Sequence, residues 1–250
     1  MINIIVPVTD IKENNKEDLD KLLSSISIGG YEECQIICCF DSTEEDFYLY
    51  FNEKYPFITC LINQSNRLQC TKNVNNGIRY SLSHFPDAHV ILVNQDCILP
   101  RWEYLKELEG KGLATPNSVD NLNLVNERPF IRTRVTRTPF YCTFINNQVL
   151  KVVGLLDGVL KITHSDDDMC LRTQLAGFPV EIVSISIHHK GTHINCPEGW
   201  NSRSGAYTQN DLNFENAIYR TKWQVSTSIP HGEIISTVLK THKWEESMKI

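Results

Sequence analysis

The sequence of 250 residues lacks long apolar runs, an excess of basic residues and repeated pairs of metal-binding residues. No segment reaches the roughly 18 consecutive apolar residues of a membrane-spanning helix, and the first residues lack the basic region and cleavage site of a secretory signal. A net charge of −6 argues against a surface coated with positive charge for nucleic acid. We therefore expect a cytoplasmic, globular protein without a membrane span.

The nine cysteines give no sign of a disulfide framework or a zinc centre. Their number is odd, and no two of them are spaced as Cys-x-x-Cys, whereas zinc sites usually contain close Cys/His pairs at two places. Cys38 and Cys39 lie within an apolar run. We interpret the cysteines as buried reduced thiols.

Short β-branched runs alternate with amphipathic segments over the first hundred residues. The runs barely alternate between apolar and polar residues, which predicts strands buried on both faces; they span residues 3–8, 35–40, 57–62 and 89–94. The segments between them place apolar residues on one helix face: Leu19, Leu22, Leu23 and Ile26, then Val74, Ile78 and Leu82. Strand, helix and strand in this order predict a parallel sheet with right-handed crossovers.

The second half of the chain differs, with prolines at the edges of short, partly alternating runs. These runs predict antiparallel additions at residues 113–116, 129–136 and 140–145. We also predict helices at 166–176, ended by Gly177, and at 211–223, and a strand at 181–189. The expected architecture is one α/β domain over residues 1–225, with a Rossmann-like, mostly parallel sheet, helices on both faces and a small antiparallel addition. Residues 226–250 form a C-terminal extension.

Polar residues follow the predicted parallel strands. Ligands of such sheets bind beyond the carboxyl ends of the strands, which brings residues 7–10, 41–42 and 94–96 around one crevice. Asp41 could accept a hydrogen bond from a pyrimidine or a ribose, or it could cap the helix that follows. Asp96 could hold Mg²⁺ or Mn²⁺ on a diphosphate, since such ions then need few protein oxygens. The alternative for residues 94–96 is a polar turn.

A second acidic group, Ser165-Asp166-Asp167-Asp168, begins the helix predicted at 166–176. A serine with acids behind it is typical of an ordinary helix start. Three consecutive acids repel one another, however, and capping needs only one or two. A carboxylate held near a metal-bound diphosphate can take the proton from an acceptor hydroxyl.

Two further groups allow a functional and an ordinary explanation. His188 and His189 could bind Mn²⁺ or be surface residues; alternation places them on opposite faces, and which one faces the crevice stays open. The dense basic stretch could hold an anionic acceptor or protect an exposed strand edge; it comprises Arg128, Arg132, Arg134 and Arg137.

Taken in order, these segments resemble the motifs of the inverting family-2 glycosyltransferases of GT-A fold, over roughly residues 3–225. The matching segments are Ile4-Ile5-Val6-Pro7-Val8, Asp41-Ser42-Thr43, Lys72-Asn73-Val74-Asn75-Asn76-Gly77-Ile78, Asn94-Gln95-Asp96, Gly154-Leu155-Leu156-Asp157, Ser165-Asp166-Asp167-Asp168-Met169-Cys170-Leu171-Arg172, His188-His189-Lys190-Gly191 and residues 219–223. Asn94 stands where the family has the first aspartate of its metal motif. Ser165 stands where the family has a glutamate, which leaves Asp166 as the aligned base.

The resemblance implies transfer of a hexosyl or pentosyl group from a nucleotide-diphosphate sugar to a hydroxyl acceptor. Asp166 would be the catalytic base, and Asp96 would hold Mn²⁺ or Mg²⁺ together with His188 or His189. The implied donor-binding residues are Pro7, Val8, Thr9, Asp41, Lys72, Asn73, Asn94 and Gln95. The acceptor is a saccharide or, less expected, a modified base of a nucleic acid such as DNA; candidate acceptor residues are Asp157, Asp168, Arg132 and Arg134.

Two other functions fit parts of the pattern. A nucleotidyltransferase shares the nucleotide-binding sheet, but the glycine-rich phosphate loop with a basic residue near the N-terminus is missing from this sequence. A non-catalytic nucleotide- or sugar-binding module of the same fold is the other alternative, and the residues at positions 94 and 165 motivate it.

Overall fold

The structure, a computed structural model, describes residues 1–8, 14–41, 45–63, 70–119, 126–161, 164–190, 209–245 and 249. The strands in these residues are β1 (Ile2–Val8), β2 (Cys34–Asp41), β3 (Ile58–Asn63), β4 (His89–Val93), β5 (Cys97–Ile98), β6 (Leu113–Val119), β7 (Arg132–Arg134), β8 (Cys142–Ile145) and β9 (Val180–His189). The α-helices are α1 (Asn14–Ile28), α2 (Glu45–Lys54), α3 (Cys70–His84), α4 (Trp102–Leu105), α5 (Asn147–Val153), α6 (Ser165–Leu175), α7 (Gln209–Lys222) and α8 (Ile234–Thr241). Two short 3-10 helices span Lys106–Leu108 and His231–Glu233.

The strands join one sheet in the order β3-β2-β1-β4-β8-β6-β9-β5, and β7 also pairs with β9. The first four strands of this order are parallel. Ile4 and Val6 of β1 pack in the same core cluster as α1, whereas Ile5 packs in the cluster that contains α3. Since both faces of the sheet are covered, the strand needs an apolar residue at nearly every position. The predicted α/β class with helices on both faces is confirmed.

The other half of the sheet is mixed. β8 is antiparallel to β4 and β6, while β6 and β9 are parallel. The strand predicted at 129–136 is only three residues long, Arg132–Arg134, and all three are exposed. Directly before this strand the Ile131 carbonyl accepts from the Ser184 N–H at 2.9 Å, whereas the Ile131 N–H donates to the Ser184 hydroxyl instead of to a backbone carbonyl.

Helix α3 lies unusually close to the sheet and positions the segment that leads into α6. A Cβ atom at Gly77 would lie 2.5 Å from Ile5 and 2.7 Å from Cys39, so this position requires glycine. The Asn75 amide donates to the Leu156 carbonyl at 2.8 Å and accepts from the Leu156 N–H at 3.1 Å. The Thr71 hydroxyl donates to the Leu160 carbonyl at 2.6 Å.

The beginning of α6 is fixed by a buried ion pair. Arg172 donates from Nε to Asp168 at 2.8 Å, and both side chains are fully buried. The same guanidinium donates to the carbonyls of Val153 and Leu155, each at 2.9 Å. Gly177, with a φ of 85°, follows the helix and ends it as predicted.

The network continues into α7 and the residue after it. Lys222 Nζ lies 2.8 Å from a carboxylate oxygen of Asp168 and 2.8 Å from one of Asp157. The indole N–H of Trp223 donates to Asp168 at 3.0 Å. Asp168 therefore joins α6 to the end of α7, and Lys222 extends the network to Asp157.

The segment after residue 225 packs against this region through a small apolar cluster. The cluster contains Leu160, Leu171, Tyr219, Trp223, Ile234, Ile235 and Val238. The division into a domain of residues 1–225 and an extension of residues 226–250 stays a prediction.

Two expectations from composition concern the cysteines and the membrane. The eight cysteines in the described residues are free thiols, and five of them are buried: Cys38, Cys39, Cys97, Cys142 and Cys170. None of the helices in the described ranges combines the length and the apolar character that a bilayer crossing requires. The cytoplasmic location stays a prediction.

Replacing Arg172 by methionine should destabilise the fold strongly, because it removes the guanidinium from a buried carboxylate and from two backbone carbonyls. Breaking one side of a buried ion pair costs about 3–5 kcal/mol, and Lys222 offsets part of that loss here. We expect a loss of about 3 kcal/mol in the free energy of unfolding, measured by urea denaturation. Arg79→Met on the exposed surface of α3 is the matched control. Equal stability of the two variants would contradict the role given to Arg172.

Candidate active site

The carboxyl ends of β1, β2 and β4 lie at one edge of the sheet. The register pairs Val8 with Phe40, and Ile5 with Leu92. Asp41 ends β2 and is buried, and it accepts a hydrogen bond from the Asn63 amide at 3.1 Å. The described residues that the sequence predicts around one crevice therefore lie at the ends of adjacent strands.

The other predicted donor-binding residues fall into three groups. Pro7 and Val8 end β1, where Pro7 is half-buried and Val8 is buried. Thr9 lies outside the described residues, and so do Asp10 and Ser42 of the predicted crevice. Lys72 is exposed on α3, whereas Asn73 is buried and donates to the Cys39 carbonyl at 2.7 Å. Asn94 and Gln95 are half-buried after β4.

Asp96 and His189 come together beside this edge. His189 Nε2 lies 3.3 Å from Asp96 Oδ1. Strand β5 pairs antiparallel with β9 and sets Cys97 opposite His189. Because Asp96 directly precedes Cys97, the pairing brings His189 close to Asp96. The N–H of Lys190 donates to the Asp96 carbonyl at 3.2 Å, and the Tyr141 ring stacks on His189 at 4.9 Å.

The Asp96–His189 pair suits a divalent cation. Adjacent ligand atoms of an octahedral ion with bonds of about 2.1 Å lie about 3.0 Å apart, close to the 3.3 Å between these two atoms. The Cys97 thiol is also within reach. Burial raises the pKa of Cys97 well above its usual value, and the thiol donates to the Tyr141 carbonyl. Without a bound ion the thiol is therefore protonated, which leaves the Asp96 oxygen and the His189 nitrogen as the candidate ligands.

His188 lies on the opposite face of β9. It is paired with Ile98, and its Nδ1 lies 3.2 Å from the Val119 carbonyl oxygen. Of the two histidines that the sequence leaves open, the structure thus places His189 beside Asp96.

Asp166 lies half-buried in the first turn of α6. Its Oδ1 accepts a hydrogen bond from the Asp167 N–H at 2.9 Å. Burial, together with the charge of Asp167, raises the pKa of Asp166 to about 6. A carboxylate of this kind is more basic than an ordinary aspartate and is still ionised for the most part at neutral pH.

Asp167 faces three basic side chains. His231 Nε2 lies 3.1 Å from it, His164 Nδ1 3.6 Å and Arg137 Nη1 3.7 Å. Burial alone would raise the pKa of Asp167, but the hydrogen bond from His164 and the charge of Arg137 outweigh this effect and keep the pKa below its usual value. Asp167 is therefore an ionised group directly beside Asp166.

A short connecting segment, residues 136–141, contacts both acidic groups. Arg137 lies 3.7 Å from Asp167 at its start, and Tyr141 stacks on His189 at its end. Because Tyr141 follows Arg137 by four positions, their Cα atoms are at most about 14 Å apart. The Cys170 thiol of α6 also donates to the Thr138 carbonyl at 3.7 Å. The beginning of α6 and the Asp96–His189 pair are thus joined through one short stretch of chain.

The residues predicted for the acceptor fall into two groups, one in the network around Lys222 and one on β7. Asp168 and Asp157 belong to the buried network with Lys222. Arg132 pairs with Glu181 at 3.0 Å and donates to backbone carbonyls of residues 107 and 109. Arg134 is exposed at the end of β7. The contacts of Arg132 favour the explanation that this basic stretch protects a strand edge.

Sequence reasoning misses several of the closest neighbours of the site. None of Tyr141, His164 and His231 carries a motif of its own. His164 directly precedes the acidic group, whereas Tyr141 and His231 reach the site from distant parts of the chain. An aromatic residue shortly before a buried strand is the only signal that Tyr141 offers.

No family model and no curated protein matches the sequence. The fold, in contrast, is similar to solved glycosyltransferases. The chain covers 43% of S. aureus TarS, with 96% of its own length matched, 10% identity and a TM-score of 0.61. It matches S. aureus TarS 1-349 in complex with UDP-GlcNAc over 95% of its length and 71% of that chain, at 11% identity and a TM-score of 0.59. It matches the mannosyltransferase PcManGT from Pyrobaculum calidifontis, in complex with GDP-Man and Mn²⁺, over 99% of its length and 66% of that chain, at 10% identity and a TM-score of 0.59. At these identities the likeness establishes the fold, and the predicted GT-A-like fold is confirmed.

Proposed function

We propose that the protein is a metal-dependent glycosyltransferase that moves a sugar from a nucleotide-diphosphate donor to a hydroxyl acceptor, with inversion at the anomeric carbon. The observation that carries the proposal is the Asp96–His189 pair at the carboxyl edge of the sheet, joined to the beginning of α6 by the connecting segment 136–141. The solved structures with this fold that bind UDP-GlcNAc or GDP-Man support the choice of donor.

The donor would bind across the ends of β1, β2 and β4. Pro7, Val8 and Thr9 would contact the nucleoside, and Asp41 would accept from its base or ribose. Lys72 is exposed on the helix that follows β3, and we propose that it approaches the diphosphate. Asn73 would act indirectly, by holding α3 against β2. Asn94 and Gln95 would face the sugar side of the donor.

Asp96 and His189 would hold Mn²⁺ or Mg²⁺. Such an ion, when bound, stabilises the charge that develops on a diphosphate leaving group. The carboxylate oxygen of Asp96 suits Mn²⁺ or Mg²⁺, and the mannosyltransferase of similar fold is a Mn²⁺ complex. Cys97 would stabilise the turn between β4 and β5, since its thiol donates a hydrogen bond to the Tyr141 carbonyl.

Asp166 would act as the base. It would accept the proton of the acceptor hydroxyl while that oxygen attacks the anomeric carbon from the face opposite the diphosphate. The buried Asp168–Arg172 pair holds the beginning of α6, and so it would hold Asp166 in position. Asp168 and Asp157 would serve the acceptor only through this framework.

The class of acceptor is the open part of the proposal. A saccharide is the family's usual acceptor, and a modified base of DNA is the less expected choice. Arg134 is the basic residue on β7 that would remain for an anionic acceptor, because Arg132 is held by Glu181.

Replacing Asp166 by asparagine should abolish turnover without weakening donor binding, because the amide cannot accept the proton. We expect hydrolysis of the sugar nucleotide, with water as the acceptor, to fall by about 100-fold or more. Donor affinity measured by calorimetry in the same variant is the internal control. Turnover at the wild-type rate would remove Asp166 from the role, and absence of hydrolysis in the wild-type protein at high concentration would favour a binding module.

His189→Ala and His188→Ala form a matched pair on adjacent positions of β9. Loss of a direct ligand should weaken Mn²⁺ binding in the His189 variant by about tenfold or more, whereas the His188 variant should bind Mn²⁺ as the wild type does. The measurement is a Mn²⁺ titration in the presence of a sugar nucleotide. A larger effect at His188 than at His189 would contradict the assignment.

A further inference from the structure

A second group of metal-binding side chains lies at the other end of α6 from Gly177. It consists of His164, Asp167 and His231, called here the second His–Asp cluster. His231 Nε2 lies 3.1 Å and His164 Nδ1 lies 3.6 Å from the same oxygen of Asp167, Oδ2. The three ligand atoms lie within 4.8 Å of one another.

These separations suit a tetrahedral ion. Zinc binds imidazole nitrogen and carboxylate oxygen at about 2.0–2.2 Å, which sets neighbouring ligand atoms about 3.4 Å apart. The two measured separations, 3.1 and 3.6 Å, lie on either side of that value. Two imidazoles and one carboxylate are also a common protein ligand set for ions of this type, with the remaining position open to water.

The cluster is held in place by its surroundings. The side chains of His164 and Asp167 are only 11% and 10% exposed. His164 adopts a left-handed backbone conformation with a φ of 62°, which is uncommon for a residue other than glycine. Its ring stacks on Tyr219 at 4.9 Å with the planes 4° apart. His231 is 41% exposed, so one side of the cluster is open to solvent.

Arg137 supplies positive charge to the cluster in this structure. Its Nη1 lies 3.7 Å from Asp167 and 3.3 Å from His231 Nε2. The side chain is 51% exposed, so the guanidinium can withdraw into solvent when another cation takes its place. The guanidinium and a bound ion would therefore compete for the same carboxylate.

We propose that His164, Asp167 and His231 form a second divalent-cation site, of the zinc type and independent of the Asp96–His189 pair. His164 directly precedes α6, Asp167 lies in its first turn, and His231 begins the 3-10 helix before α8. An ion bound there ties the C-terminal segment to α6. The site does not depend on the proposed transfer reaction, and its test uses no activity.

The test is a calorimetric titration with Zn²⁺ of the full chain carrying Asp96→Ala and His189→Ala, which remove the first pair. We expect one equivalent of Zn²⁺ to bind, and its affinity to fall at least tenfold when His231→Ala or Asp167→Asn is added. His242→Ala, in the same C-terminal segment, is the matched control and should leave the affinity unchanged. Arg137→Ala should raise the affinity, because it removes the competing charge.

Unfolding measured in the presence of a chelator shows whether each variant folds. Because Asp167→Asn keeps the shape of the side chain, it still tests the site if His231→Ala folds poorly. Absence of a bound equivalent in the Asp96→Ala/His189→Ala protein would overturn the proposal. So would an affinity that neither His231→Ala nor Asp167→Asn changes.

Discussion

The pairing register between β5 and β9 is the constraint on which the candidate site depends. It sets Cys97 opposite His189 and Ile98 opposite His188. Because side chains alternate between the two faces of a strand, a shift of one residue would exchange the two histidines and move His189 away from Asp96. The register is fixed on one side by the parallel pairing of β9 with β6 and on the other by the buried residues Val183, Ile185 and Ile187.

A second constraint brings Asp166, the proposed base, towards the Asp96–His189 pair. The connecting segment 136–141 contacts α6 through Arg137 and Thr138 and contacts His189 through Tyr141. The buried Asp168–Arg172 pair fixes the start of the same helix. The acidic run at residues 166–168 is thus divided among three different tasks: Asp168 holds the helix, Asp167 gathers basic side chains, and Asp166 is the one proposed to react.

The sequence predicts best what local pattern controls. The parallel strands follow from apolar runs that do not alternate, and α6 follows from the acids at its beginning and Gly177 at its end. The sequence around His188 and His189 cannot show which of them lies beside Asp96. Alternation places the two side chains on opposite faces of β9, but it does not show which face lies next to Asp96. The contact of His231 with Asp167 joins residues 64 positions apart, and no periodicity in either segment predicts it. Asp168 appears available for an acceptor in the sequence, but Lys222 and Trp223 surround it from a distant helix.

The proposed transfer requires a divalent cation and a sugar nucleotide to bind together at the carboxyl edge of the sheet. A thermal-shift panel of nucleotide sugars, each with and without Mn²⁺, tests it most directly, because a ligand that binds only the folded state raises the melting temperature. We expect at least one nucleotide sugar to raise the melting temperature more with Mn²⁺ than without it, and Asp96→Ala to remove this difference. A panel in which no nucleotide sugar shifts the melting temperature, or in which the shift is the same without Mn²⁺, would contradict it.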